Sequence, residues 1–236
     1  MRARILSAVL FFIAASSITC FAQQDYVSRF DAFGGYSFLD TPSLNQLLNG
    51  FNGEFGVNVK TWIAIGVDYS IFTGSNNITT RMLKPALQQE VDAEVAMLQA
   101  GGILPANYQV AVPTNSTVWT FSGGPQFNLR KLKYVTFFIR PALGVLHETA
   151  TLKPTDPFTT ELVDTLVGPS MKKSDQATFY GVGGGMDFNF SDRWGLRFAS
   201  DYVHYNVFSN ILDGSRNTVR FSVGPTFRFG SNIAGK

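Results

Sequence analysis

The side chains of this 236-residue chain best equipped for nucleophilic chemistry are those of His147, Glu148, His204, Ser170 and Ser174. A histidine can take the proton of a serine hydroxyl while a carboxylate orients its ring, but no spacing in the chain forces these five together. Gly183, Gly184 and Gly185 have the composition of a phosphate-binding loop, which needs a helix directly after the glycines. They sit instead inside a segment of alternating polarity, where glycine leaves room for neighbouring side chains. One cysteine and two histidines exclude a disulfide scaffold and a zinc cluster. No catalytic, cofactor-binding or metal-binding residue is therefore expected, and what remains to be explained is a set of charged side chains at every second position.

Those charges need elements that present them on one face. In the segment 217–229, Val219, Phe221, Val223, Pro225, Phe227 and Phe229 alternate with Thr218, Arg220, Ser222, Gly224, Thr226 and Arg228, the period of two of a β-strand with one greasy and one polar face. Weaker versions of the pattern run over 27–39, 51–60, 62–73, 116–129, 134–148, 175–190 and 194–205, so eight strands are expected. Residues 1–22 read as a cleaved export leader, with Arg2 and Arg4, an apolar run from Ile5 to Ile18, and cleavage after Ala22. Acylation of Cys20 is the alternative. Arg2 and Arg4 belong to the leader and no acid does, so the rest of the chain balances 17 basic against 17 acidic side chains, and nothing in its charge points to nucleic acid. Residues 23–236 are expected to form one domain, since 45% hydrophobic and 15% charged residues are too apolar a mixture for disorder.

After the leader no apolar run of about 20 residues offers a transmembrane helix, but a membrane-spanning strand needs only about 9 to 11. Taking the bulky apolar parity as outward puts Phe30, Tyr36, Phe38, Phe55, Val57, Ile63, Ile65, Val67, Tyr69, Trp119, Phe121, Phe137, Ile139, Leu143, Val182, Phe188, Leu196, Phe198 and Tyr202 on one surface. The same choice gathers Arg29, Asp31, Glu54, Lys60, Asp68, Arg140, Asp187, Arg197, Asp201, Arg220 and Arg228 on the other, an expected interior charge network. A soluble barrel cannot bury these charges beneath a continuous water-exposed apolar belt. Lipid outside resolves the conflict, because a lysine or arginine facing mid-bilayer costs roughly 2 to 4 kcal/mol. Phe33, Phe138, Phe179 and Val203 fall on the inner parity and need space beside Gly34, Gly35, Ala142, Gly144, Gly181, Gly183 and Gly185.

Tight turns are expected near 60–61, 130–133 and 191–193, and long loops over 40–50, 74–115, 149–174 and 206–216, which puts both termini in the periplasm. Tyr26, Trp62, Phe127, Tyr134, Phe190 and Trp194, with Phe227 and Phe229, lie near the tight turns and are expected to form an interfacial aromatic girdle. Pro125, Pro141 and Pro225 each remove a ladder donor, and local bulges are the expected remedy. In the loop 74–115, Leu87, Val91, Val95 and Leu98 recur at helical spacing ahead of Gly101-Gly102, so an amphipathic helix over 85–100 is expected, as a lid on the barrel or as a contact for an outside partner.

The stretches FDAFGGYSFL (30–39) and GVGGGMDFNFSDRWGLRFASDY (181–202), together with the last strand, resemble the small eight-stranded outer-membrane barrels of Gram-negative bacteria, of the outer-membrane-protein-A transmembrane type. The likeness covers nearly all of the chain after the leader. It implies an all-β, antiparallel up-and-down transmembrane barrel, and contacts with outer-membrane lipid, lipopolysaccharide and, during biogenesis, the barrel-assembly machinery. Ser222, Gly224, Phe227 and Phe229 match that machinery's polar-x-Gly-x-x-apolar-x-apolar signal, although Gly230 to Lys236 follow where the family often ends on the aromatic residue. The expected function is that of a monomeric, non-enzymatic outer-membrane porin-like or surface protein, serving envelope integrity or surface interaction and conducting at most small solutes, since about eight strands enclose a lumen only wide enough for side chains. Two alternatives stay open: a lipid A-modifying barrel enzyme using the rim histidines, and a secreted soluble barrel holding an apolar ligand.

Overall fold

The computed structural model describes residues 24–234, so the leader expected over residues 1–22 lies outside the described residues. Eight antiparallel strands form a closed ring in chain order: β1 (Ser28–Thr41), β2 (Gln46–Lys60), β3 (Ile63–Thr79), β4 (Ala111–Leu129), β5 (Val135–Leu152), β6 (Lys172–Asn189), β7 (Trp194–Tyr205) and β8 (Arg216–Asn232). The ring closes where β8 pairs with β1, Phe221 facing Phe38 and Phe227 facing Ala32. Closure matters physically because a membrane-embedded sheet has no water to satisfy a free edge. The outer face carries the apolar parity: Leu143 is 71% exposed, Phe51 66% and Ile65 58%. No described helix is long and apolar enough to cross a membrane.

The strands run further on the loop side than their alternation alone reveals. Beyond Ile71 the outward residues of β3 change to Thr73, Ser75, Asn77 and Thr79, and across the sheet Asn49, Thr73, Thr117, Thr149 and Ser174 follow one another in register. A short polar side chain on a strand in water reads as loop composition, so the sequence shortens these strands. The expected long loop over 40–50 is for the same reason mistaken. β1 and β2 are joined by a single 3-10 turn at Pro42–Leu44, closed by Asn45 in the left-handed region (φ 46°), a conformation asparagine tolerates.

Helix α1 (Pro85–Ala100) spans the expected residues, with Pro85 in its first turn, where a missing N–H costs nothing, and Val91 and Val95 buried. A second helix, α2 (Pro157–Val167), was not expected from the sequence. Asp156 caps it by accepting from the Thr159 N–H at 2.9 Å, while Thr159 returns the contact to the Asp156 N–H.

The prolines are accommodated without the expected bulges. Pro125 and Pro141 stand opposite each other in a gap of the β4–β5 ladder, between the pairs Gly123–Leu143 and Phe127–Ile139, with no change of register. Two residues lacking donors share one interruption. Pro225 lies likewise in a gap of the β1–β8 ladder, between Phe33–Thr226 and Tyr36–Val223. Register shifts do occur at the tight-turn end of the sheet, between Ser28 and Phe30, where β8 carries the extra residue, and between Asn58 and Lys60, where β2 does.

Candidate functional site: the barrel lumen

Nine of the eleven expected interior charges line the lumen: Asp31, Glu54, Asp68, Arg140, Asp187, Arg197, Asp201, Arg220 and Arg228. Arg29 and Lys60 do not join them, which corrects the sequence reading. The extra residue on β2 between Asn58 and Lys60 inverts the parity beyond it and turns Lys60 out to the rim, while Arg29 is half-buried beside the β1–β8 shift, whose extra residue lies on β8; neither has an ion pair among the described residues.

The network combines pairs between neighbouring strands with links that cross the barrel. Asp201 on β7 receives the Nε and Nη2 edge of Arg140 from β5, both at 2.9 Å, and the Arg220 guanidinium from β8 at 2.8 and 2.9 Å. Arg220 reaches on to Asp68 on β3 at 2.7 Å. Arg197 forks onto Asp187 at 2.8 and 3.0 Å and extends to Glu54 on β2 at 2.6 Å, and Arg140 meets the other oxygen of Glu54 at 2.7 Å. Arg220–Asp201 and Arg197–Asp187 are cross-strand neighbours, whereas Arg220–Asp68, Arg197–Glu54 and Arg140–Glu54 join strands three apart in the ring, so side chains fill its width. Planar two-point contacts of this kind hold both partners in one geometry. A Cβ at Gly183 would collide with the Asp201 carboxylate, and one at Gly185 or Gly144 would fall 2.8 or 2.5 Å from the Phe138 or Phe179 ring. Large and small inner residues thus alternate as the sequence requires. Arg197 also lies against the Phe138 face, 4.7 Å from its centroid.

Neutral polar residues that sequence reasoning missed complete the network. Asn52 donates to Asp68 at 2.5 Å, Asn58 to Asp31 at 2.9 Å, and Arg130, from the β4–β5 turn, donates to Asn58 at 2.8 Å and to the Thr61 carbonyl at 2.9 Å. Gln24 crosses beneath the barrel to Thr136 at 2.9 Å and the Leu132 carbonyl at 3.0 Å. Asn52 and Asn58 share the parity of Glu54, a signal available to any reading that counts amides along with charges.

Above this layer the lumen changes character. Leu39, Leu48, Phe72, Val118, Leu146 and Phe179 are buried together, and Val91, Val95 and Val163 from the two helices pack onto them with Phe208 and Leu212. An apolar cavity of about 60 Å³ remains between Leu83, Val112, Leu162, Val163, Phe208 and Leu212, with Lys173 on its wall. Glu148 and Arg216 are buried here at 3% and 2% exposure, and the Nε and Nη2 atoms of Arg216 have no partner among the described residues. Tyr108 donates to Asp156 at 2.9 Å and sets its ring edge-on to Phe158, joining the two helical loops. Burial, then the hydrogen bond and charge of Asp156, push the Tyr108 hydroxyl up to about 12.

The residues suited to nucleophilic chemistry are not assembled. His147 points outward, stacked on Trp119 with centroids 5.4 Å apart, while Glu148, its neighbour in the strand, points into the lumen. Thr149 stands between His147 at 3.3 Å and Ser174 at 2.9 Å; Ser170 contacts the Lys172 carbonyl, and His204 contacts Asn217 at 2.8 Å and stacks near Tyr180. At the other end Trp62, Phe127, Tyr134, Phe190 and Trp194 are exposed. Trp62 stacks on Phe127 and Trp194 meets Phe227 at 4.8 Å; Tyr26 is half-buried, its hydroxyl on the Gly230 carbonyl at 3.2 Å. Ser222 faces the lumen at 2.6 Å from Ser37, whereas Phe227 and Phe229 face outward and stack with each other.

A closed sheet with an apolar outer belt and a paired-charge interior defines a bilayer-spanning β-barrel. The chain belongs to the outer membrane protein beta-barrel domain family, whose model matches residues 5–229, and its location is the outer membrane. Among solved structures, Neisserial surface protein A is similar, with 12% identity and a TM-score of 0.52 over 86% of this chain and 98% of that one. Ail, the attachment invasion locus protein of Yersinia pestis, aligns with 14% identity and a TM-score of 0.47 over 86% and 97% of the two chains. OprG of Pseudomonas aeruginosa aligns with 9% identity and a TM-score of 0.44 over 89% and 100%. No curated protein matches the sequence.

Proposed function

We propose that this protein is a sealed, non-catalytic outer-membrane barrel that anchors a structured extracellular cap, serving envelope integrity or surface interaction. The observation that carries the reading is the chain of ion pairs from Arg140 and Arg220 through Asp201 and on to Asp68 and Glu54, which fills the lumen from wall to wall. An ion passing through would have to break contacts whose partners are buried together, and truncating one side of such a pair costs roughly 3 to 5 kcal/mol. The outward His147 and inward Glu148 support the non-catalytic part, since a carboxylate on the opposite face of a strand cannot orient the ring. Exposed Met97 and Ile103, at 74% and 72% exposure near the tip of α1, favour the cap as the surface that an outside partner would meet.

Biogenesis fits the same reading. The leader is cleaved after Ala22, Ser222, Gly224, Phe227 and Phe229 serve as the assembly signal, and the aromatic residues near the turns sit at the periplasmic interface. The test of the seal is conductance in planar bilayers. Wild-type protein should show no steady single-channel current, and Arg220→Ala should admit small ions. Steady current through the wild type would overturn the seal. A lipid A-modifying role predicts an altered lipid A profile in producing cells that His147→Ala abolishes; an unchanged profile is expected.

A further inference from the structure

Charge is sorted along the barrel axis. In the lumen, five guanidiniums (Arg130, Arg140, Arg197, Arg220 and Arg228) face five carboxylates (Asp31, Glu54, Asp68, Asp187 and Asp201). At the periplasmic rim Arg29, Lys60, Lys131, Lys133 and Arg193 oppose only Asp25 and Asp192 among the described residues. The extracellular segments 40–49, 73–117, 147–178 and 204–217 carry the reverse, 10 acidic against 6 basic side chains. The molecule is therefore positive at one end and negative at the other, although its total after the leader is balanced.

The depth of the positive end can be read from its neighbours. Lys60 stands two residues from Trp62, Lys133 beside Tyr134 and Arg193 beside Trp194, and Lys131 shares the turn with Lys133. All four bases and all three rings are exposed, and the Lys133 ammonium lies 5.5 Å from the Tyr134 ring centroid. Tryptophan and tyrosine settle at the depth of lipid headgroups, so these cations lie in the phosphate plane of the periplasmic leaflet. The lumen offers them no carboxylate, because the bulge after Asn58 turns Lys60 outward and Arg197 and Arg228 already hold Asp187.

We propose that this rim is a binding surface for anionic phospholipids of the periplasmic leaflet, with Lys60, Lys131, Lys133 and Arg193 gripping headgroup phosphates and the adjacent rings holding the glycerol and upper acyl region. The proposal rests on the bilayer-spanning reading, and its test separates the two. The full chain is inserted into vesicles of four parts phosphatidylethanolamine to one part phosphatidylglycerol, insertion is scored by heat-dependent gel mobility, and lipids retained on extraction are counted by mass spectrometry. Wild type should hold phosphatidylglycerol about fivefold above its share, the factor that one basic side chain near an anionic surface supplies. The quadruple variant Lys60→Gln, Lys131→Gln, Lys133→Gln, Arg193→Gln should lose the enrichment. Arg81→Gln, Lys84→Gln, Lys153→Gln, Lys172→Gln, with the same change of charge at the other end, should keep it.

Raising salt from about 0.05 to 0.5 M should also erase the wild-type enrichment, since screening shortens with ionic strength; this arm holds even where the quadruple variant does not fold. No enrichment in the inserted wild type, an enrichment indifferent to salt, or equal loss in both quadruple variants would each overturn the proposal. A wild type that fails to insert would instead sink the bilayer-spanning reading, and the proposal with it.

Discussion

The lower and upper halves of the lumen are built on the same inward parity of the same strands, yet one is filled with arginine and carboxylate and the other with leucine, valine and phenylalanine. The difference follows from what lies on the other side of the sheet. Where the outer face meets hydrocarbon, an inward apolar side chain gains nothing over an outward one, and the lumen is where charges escape lipid; directional pairs such as Arg220–Asp201 then specify the packing. Where Thr73, Ser75, Asn77 and Thr79 turn the outer face to water, the ordinary hydrophobic effect returns and the interior becomes apolar. One continuous sheet is thus inside-out in the membrane and right way out above it.

Four measurements press on that contrast. Asp201→Ala leaves Arg140 and Arg220 without their shared carboxylate and should destabilise the barrel by roughly 3 to 5 kcal/mol in urea titrations in vesicles. A loss under about 1 kcal/mol would mean the lower lumen is wet and its pairs are worth little. Phe72→Ala, at a site with no exposed surface, should cost roughly 3 kcal/mol. Its signature should be local, with faster amide exchange around Val118 and Leu146 and none near Arg197; equal acceleration in both halves would dissolve the distinction between them.

Glu148 and Arg216 are buried charged side chains in the apolar half. Replacing both together, by Gln and Met, should change stability by less than about 1 kcal/mol or raise it, because removing two buried charges at once lifts their desolvation cost, and residues of similar volume keep the packing. The smallest effect belongs to the cap. Burial opposes ionisation of Asp156, but hydrogen bonds from Thr159 and Tyr108 outweigh it and hold the carboxyl below its usual range. Its contribution is present above the ordinary value of about 3.9 and drains as pH falls through the lowered one. Tyr108 is raised to about 12, so its contribution is present below about 10 and drains as pH rises toward that value. Protease cutting in residues 101–110 should be lowest between those limits and flatten with pH in Tyr108→Phe.

The ring of eight strands was legible because alternation survives in every membrane-embedded segment, and the charged lumen because Arg197, Asp201 and Arg220 could not face lipid. α1 was legible from Leu87, Val91, Val95 and Leu98. What the sequence concealed has physical causes. The bulge that evicts Lys60 inverts the parity of β2 without any marker residue, and the shared gap of Pro125 and Pro141 needs the register to be known first. α2 was hidden for another reason: Asp156-Pro157 is a sound helix start, but at 11 residues the helix is short beside the run of α1. The upper apolar core was missed because Leu39, Leu48 and Phe72 break the polar-inside rule that holds below them.

The polar extension of the strands has a consequence for what the cell shows its surroundings. The six steps from Thr73 to Thr79, at about 3.3 Å each and tilted by about 40°, lift the two helices roughly 15 Å clear of the hydrocarbon edge. A large body approaching the loop end of the barrel touches residues 80–110 and 153–171 before it reaches the apolar belt. Those same two stretches are where a foreign epitope could be displayed with the hydrogen-bonded ring beneath it left whole.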